Sequence, residues 1–325
     1  MIKSTFFLIS CFVYLACQCN GQVNKTRTVA DNKAIKTPIL WTVDWSSNAK
    51  LYAIGGDDKL LRIYNVKDFK LSKTYNLGSA IQCLDWNETG NILAIALDDN
   101  HVQLLNIETG KFLKLKETTG SRALAWNHTG ELLAVGDYNG TLQIYSKEGK
   151  LLKSIKKDNS KTYLSVDWHP KKNILLTGGD KIRIFDTSGT LLQSIKHRTE
   201  ETIILTVKWH PSGTYFVTGD YGHKEEGIES LLQFWKADGK IIKSLSGSKA
   251  EYRNIRWNKD GTLLATASDA MRLWTNDGQL LYSGQSENLL WGIDWDSQSK
   301  NIITTSEKGN INLWSDKAEL LKEIP

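Results

Sequence analysis

A tryptophan closing a short apolar phrase recurs seven times, and this recurrence limits the fold more than any other feature. The copies read "TVDW" at Trp45, "CLDW" at Trp86, "ALAW" at Trp126, "SVDW" at Trp168, "TVKW" at Trp209, "NIRW" at Trp257 and "GIDW" at Trp295. Successive spacings are 41, 40, 42, 41, 48 and 38 residues. Self-similarity at such a period marks a repeat architecture, in which each unit buries its apolar faces only by stacking on its neighbours.

Each copy divides into four short runs separated by turn residues. In the third these are "RALAW", "LLAVG", "LQIYS" and "LLKSI", separated by "NHTG", "DYNG" and "KEGK". Alternating β-formers between Gly, Asn and Asp turns predict antiparallel strands joined as hairpins. Six copies end their third run in an aromatic, Tyr64, Tyr145, Phe185, Trp235, Trp274 and Trp314; the second has Leu105 there. Four strands per copy and seven copies predict an all-β fold, a seven-bladed β-propeller with four antiparallel strands per blade. Blades are expected to start near 39, 80, 120, 162, 202, 251 and 289. The last copy ends "ELLKEIP", so blade seven is expected to be completed by its own C-terminus.

The phrases "GGDDKLLRIYNV" (55–66), "GDYNGTLQIYS" (136–146) and "TASDAMRLWTN" (266–276) resemble the closing signature of the WD40-repeat family. The turns "HPSG" and "NKDG" resemble that family's first turn, and the resemblance runs from about Ile39 to Ile324. It implies a non-enzymatic scaffold whose partner-binding face carries the fourth-to-first and second-to-third strand loops. No Gly-His dipeptide precedes a first strand, so the family's Asp-His-Ser/Thr-Trp network is expected to be absent. The family's turn Asp is matched at Asp58 and Asp99, with Asn139 in the third copy.

Counting back along each first strand gives columns that line a central channel. Two places before the Trp every residue is apolar, and three places before every residue is small: Thr42, Cys83, Ala123, Ser165, Thr206, Asn254 and Gly292. One place before stand Asp44, Asp85, Ala125, Asp167, Lys208, Arg256 and Asp294. A periplasmic propeller enzyme, or a small-ligand or metal binder, using this acidic ring is one reading. Ion pairing between adjacent blades, Asp167 with Lys208 and Arg256 with Asp294, is the simpler one.

Four places before, at the channel mouth, stand Trp41, Gln82, Arg122, Leu164, Leu205, Arg253 and Trp291. Ring closure sets Trp291 beside Trp41. Trp and Arg are the types most enriched at binding hot spots, so Trp41, Trp291, Arg253 and Arg122 are the candidate anchors. The alternative is that the indoles only cap the channel. Copy five carries an extension, "YGHKEEGIES" from Tyr221 to Ser230, between its second and third strands. Tyr221, His223, Lys224 and Glu225 are thus candidates on the same face.

No H-E-x-x-H, G-x-S-x-G or phosphate-loop pattern occurs, so neither an enzyme nor a cofactor is expected. A net charge of +5 spread along the chain predicts no nucleic-acid partner. A protein or peptide partner and a monomeric state are expected. The N-terminus "MIKSTFFLISCFVYLACQCNGQ" reads as a signal peptide over 1–21, followed by a flexible linker over 22–38. "YLAC" offers an alternative, a bacterial lipobox with Cys17 acylated after a signal over 1–16. Both imply an exported protein, whether periplasmic, cell-surface or secreted, with membrane contact only through such an anchor. An intracellular adaptor is the remaining alternative.

Overall fold

A computed structural model describes residues 37–116, 118, 122–156, 162–198 and 202–325. The expected signal peptide, most of the linker and Cys17 lie outside the described residues. The described chain forms seven four-stranded antiparallel sheets, each in the order of the sequence. They span Leu40–Asn76, Ile81–Lys114, Ala123–Lys156, Tyr163–Lys196, Ile204–Leu245, Asn254–Gln285 and Leu290–Ile324. The first strand of blade seven packs on that of blade one and closes the ring. Blade seven takes its outer strand from Leu320–Ile324, as the sequence predicts.

The core is split among seven clusters, each straddling one seam between blades. At the closing seam, Ile303, Ile311 and Leu313 of blade seven meet Val43, Trp45, Tyr52 and Tyr64 of blade one. Each repeated Trp except Trp257 is buried in its seam, with exposures from 4% (Trp168) to 8% (Trp126). Burying one indole contributes about 4–6 kcal/mol of hydrophobic stabilisation before entropy is counted. A single blade could not hold both faces dry. Seven in a ring can.

Exposure rises outward through each blade. In blade five the second strand is buried over five of its six residues, and the outer strand Ile241–Leu245 is exposed over four of five. In every blade but the second, the third-to-fourth strand pairing carries a β-bulge. The unpaired residues are Ser72, Leu152, Leu192, Ile242, Leu281 and Leu321. A bulge disrupts the ladder at the rim, and with outer-strand lysines such as Lys73, Lys153, Lys243 and Lys322 it keeps the edge strands from templating another chain.

Candidate partner-binding site at the channel mouth

The channel ring is built from staples between neighbouring blades. The Asp44 carboxylate accepts the backbone N–H of Trp86 at 2.7 Å, and the Trp86 indole N–H donates to the Asp44 carbonyl at 3.1 Å. Asp85 holds the N–H of Trp126 at 2.6 Å, and Asp167 holds that of Trp209 at 2.7 Å. Asp294 closes the circle, accepting from Trp45 at 2.7 Å. Where Ala125 replaces the acid, the Trp168 indole still donates to its carbonyl at 2.8 Å. The expected ion pairs also form, Lys208 to Asp167 at 2.7 Å and Arg256 to Asp294 at 3.6 Å.

This crowding shifts the acids. Burial pushes the Asp44 carboxyl well above its usual range, and the charges on Asp294 and Asp85 add to the shift. Burial raises Asp85 to about 6 against the pull of Lys208, and it raises Asp294 against that of Arg256. Burial works against the Arg256 cation too, yet Asp294, Asp44 and Asp85 hold its pKa above the usual value. Among the described residues no three His, Cys, Asp or Glu side chains are grouped to hold a metal ion. The small column has a similar cause. A Cβ on Gly292 would lie 2.5 Å from Thr305 Oγ1 and 2.9 Å from the Val43 nitrogen, so only glycine fits there.

One residue-step above lies the mouth. In blades one, two, four, five and seven the first strand carries a bulge spanning this column, at Trp41, Gln82, Leu164, Leu205 and Trp291. A bulge takes a residue out of the ladder and re-aims its side chain, here toward the channel axis. Arg122 and Arg253 stand just ahead of the unbulged first strands of blades three and six, and with Trp41 and Trp291 they form one row. The Trp41 and Trp291 rings lie 4.8 Å apart at 57°. The Arg253 guanidinium sits 3.3 Å over the Trp291 ring, and that of Arg122 sits 5.5 Å from the Trp41 ring. Arg253 pairs with Glu251, and Arg122 donates to Gln82, whose amide donates to Asp98 at 3.0 Å. Both indole N–H groups in this row are shielded from solvent and find no hydrogen-bond partner. Leu164 and Leu205 line the opposite wall of a cavity of about 80 Å³. That volume is far below the roughly 300–1,000 Å³ of small-molecule sites.

The extension of blade five is not part of this cavity. It is a closed arm in which His223 and Ile228 exchange backbone hydrogen bonds of 2.7 and 2.9 Å around a 3₁₀ turn at Lys224–Glu226. Tyr221 is exposed at its base, and Glu225 is exposed on the turn. Asp220 anchors the arm, accepting from Leu231 N at 2.8 Å, Gly222 N at 3.1 Å and Arg198 Nε at 3.0 Å. Its other neighbour is His197, 3.2 Å away and equally buried. Thr218 of the same blade accepts the Trp235 indole N–H at 3.0 Å. Blade five thus brings together the residue types of the Asp-His-Thr-Trp network, with Lys196 before the histidine instead of Gly, but neither His197 ring nitrogen makes a hydrogen bond, so only the Trp–Thr link is formed. Trp274–Thr266 and Trp314–Thr304 keep the last link in blades six and seven, at 3.1 and 2.8 Å. Asp58 and Asp99 serve their own turns, accepting from Leu60 N at 3.1 Å and His101 N at 3.3 Å.

A closed ring of seven four-stranded blades with a Trp- and Arg-bearing mouth defines a β-propeller of the repeat class. The profile of the WDR19 first beta-propeller matches residues 41–206, half of the chain, and that of the WD domain, G-beta repeat matches residues 278–315. The chain belongs to the WD40-repeat family. A profile of eukaryotic translation initiation factor eIF2A also matches, over residues 179–295. Among curated proteins, a probable cytosolic iron-sulfur protein assembly protein 1 of Candida glabrata is 23% identical, covering 38% of this chain and 40% of its own length. Protein HIR1 of Cryptococcus neoformans is 24% identical over 52% of this chain and 22% of its own. The mouse F-box-like/WD repeat-containing protein TBL1X is 31% identical over 21% and 13%. The chain thus spans less than half the length of each relative.

These relatives correct one expectation. All are eukaryotic, and the one whose name states a compartment is cytosolic, which overturns the reading of an exported protein drawn from the N-terminal apolar run.

Proposed function

We propose that the protein is an intracellular, non-enzymatic WD40 scaffold that holds a protein or peptide partner over the channel mouth, with Trp41, Trp291, Arg122 and Arg253 as anchors. The observation that carries this reading is the row of two indoles between two guanidinium groups, with both indole N–H groups unpaired. Groups of this kind carry a large share of binding energy at protein interfaces, while an 80 Å³ cavity is too small for most metabolites. Relatives whose names describe assembly proteins and WD-repeat proteins support a scaffold rather than a catalyst. Tyr221, His223, Lys224 and Glu225 on the arm serve as a secondary contact on the same face.

The test is affinity capture from a eukaryotic cell lysate with the wild-type protein and with W41A/W291A, compared by quantitative mass spectrometry. Partners lost only from the variant support the assignment. An unchanged set of partners refutes it, provided that circular dichroism shows the variant folded.

A further inference from the structure

The mouth discriminates by charge. Four cationic side chains line it, Arg122, Arg253, Lys208 and Arg256, and among the described residues no carboxylate does. The channel aspartates lie behind the lining, each with one oxygen on the tryptophan N–H of the next blade; Asp167 and Asp294 also pair with Lys208 and Arg256, and Glu251 pairs with Arg253. The remaining polar lining, Thr42, Ser165, Thr206 and Asn254, offers donors as well as acceptors. The two indole N–H groups, donors only, are shielded from solvent and give the lining no acceptor.

The aromatic faces argue in the same direction. An indole face attracts a cation within about 6 Å of its centroid. Here those seats are taken by the protein's own Arg253, at 3.3 Å from Trp291, and Arg122, at 5.5 Å from Trp41. An incoming lysine or arginine finds the seats filled and meets like charges. An incoming carboxylate finds guanidinium donors at the mouth, with Leu164 and Leu205 available for an apolar neighbour.

We propose that the partner group seated in the mouth is an acidic side chain, Asp or Glu, flanked by apolar residues of an extended peptide segment. This rests on the mouth being the partner site, and it adds the chemistry that the site selects. Charge-assisted hydrogen bonds to guanidinium are about twice as strong as neutral ones, so the carboxylate gives specificity as well as affinity.

The probe is a random peptide library selected on the immobilised full chain, with clones sorted by whether W41A/W291A abolishes binding. Clones that need the tryptophans should share an Asp or Glu. In a synthetic peptide, changing that acid to its amide should weaken binding about tenfold or more, the loss of one charge-assisted bond. R122Q and R253Q should weaken the acidic peptide and spare the amide peptide, while R122K, which keeps the charge, should retain most of the acid preference. Tryptophan-dependent clones that are neutral or basic would overturn the acidic preference and leave the mouth as the partner site. Clones indifferent to the tryptophans, or no clones at all, would overturn both.

Discussion

Asp294 offers the sharpest test of how the ring is closed. Its carboxylate accepts the N–H of Trp45 at 2.7 Å across the seam between blades seven and one, and its other oxygen lies 3.6 Å from Arg256. Asp294→Ala leaves the Trp45 N–H without its acceptor in a seam where Trp45 is only 6% exposed. An orphaned buried donor costs about 1–3 kcal/mol. The lost charge is less costly, because Asp44 and Asp85 remain near Arg256 and removing Asp294 relieves its repulsion of Asp44. Asp294→Asn keeps an oxygen for the N–H and removes only the charge. Urea unfolding followed by tryptophan fluorescence should show D294A about 1–3 kcal/mol less stable and D294N within about 1 kcal/mol of wild type. In thermal melts the D294A loss corresponds to about 2–6 °C. Equal damage from D294N and D294A would refute the staple and make the ion pair with Arg256 the closing element; a neutral D294A would refute both.

Three further predictions concern the seams and the arm. Gly292→Ala should cost about 1–3 kcal/mol through overpacking, because its Cβ meets Thr305 and the Val43 backbone, measured by the same unfolding assay. Asp85, raised to about 6 by burial, is protonated more readily in the fold than in the unfolded chain. Its contribution is therefore fully present below the usual carboxylate pKa and is lost as pH rises through about 6. Asp85→Asn, which keeps an acceptor for Trp126, should gain up to about 3 kcal/mol on wild type between pH 4 and pH 7 in urea midpoints. A constant difference across that range would contradict the shift. Asp220→Ala frees Leu231, Gly222 and Arg198 at the arm's base, so native-state trypsin cleavage after Lys224 should accelerate roughly five- to hundredfold.

Architecture was legible because the period-two columns and the seven-fold Trp spacing act at each blade independently. Ring closure alone places Trp41 beside Trp291, as found. The staples were not legible. Asp44 and Trp86 are bonded partners 42 residues apart, and the sequence displays Asp44 only as a charge in a column. Charge pairing was correctly inferred for Asp167 with Lys208, yet the second oxygen of Asp167, bonded to the Trp209 N–H, carries no signal in residue type. Arg122 reaching Trp41 past blade two, through Gln82, was hidden for the same reason. The His197–Asp220 pair escaped a search keyed on Gly-His, because Lys196 precedes the histidine. Compartment was misread because a short apolar run is a signal of local composition, and the relatives report on the whole fold family instead.

Where a partner sits on the disc is the central claim, and site-specific photocrosslinking tests it most directly. A photoreactive phenylalanine analogue at Leu205, in the mouth, is compared with one at Lys259, in the first-to-second strand turn at the opposite end of a first strand. Partner adducts from position 205 and none from 259 are predicted. Adducts from 259 with none from 205 would contradict the mouth as the binding site.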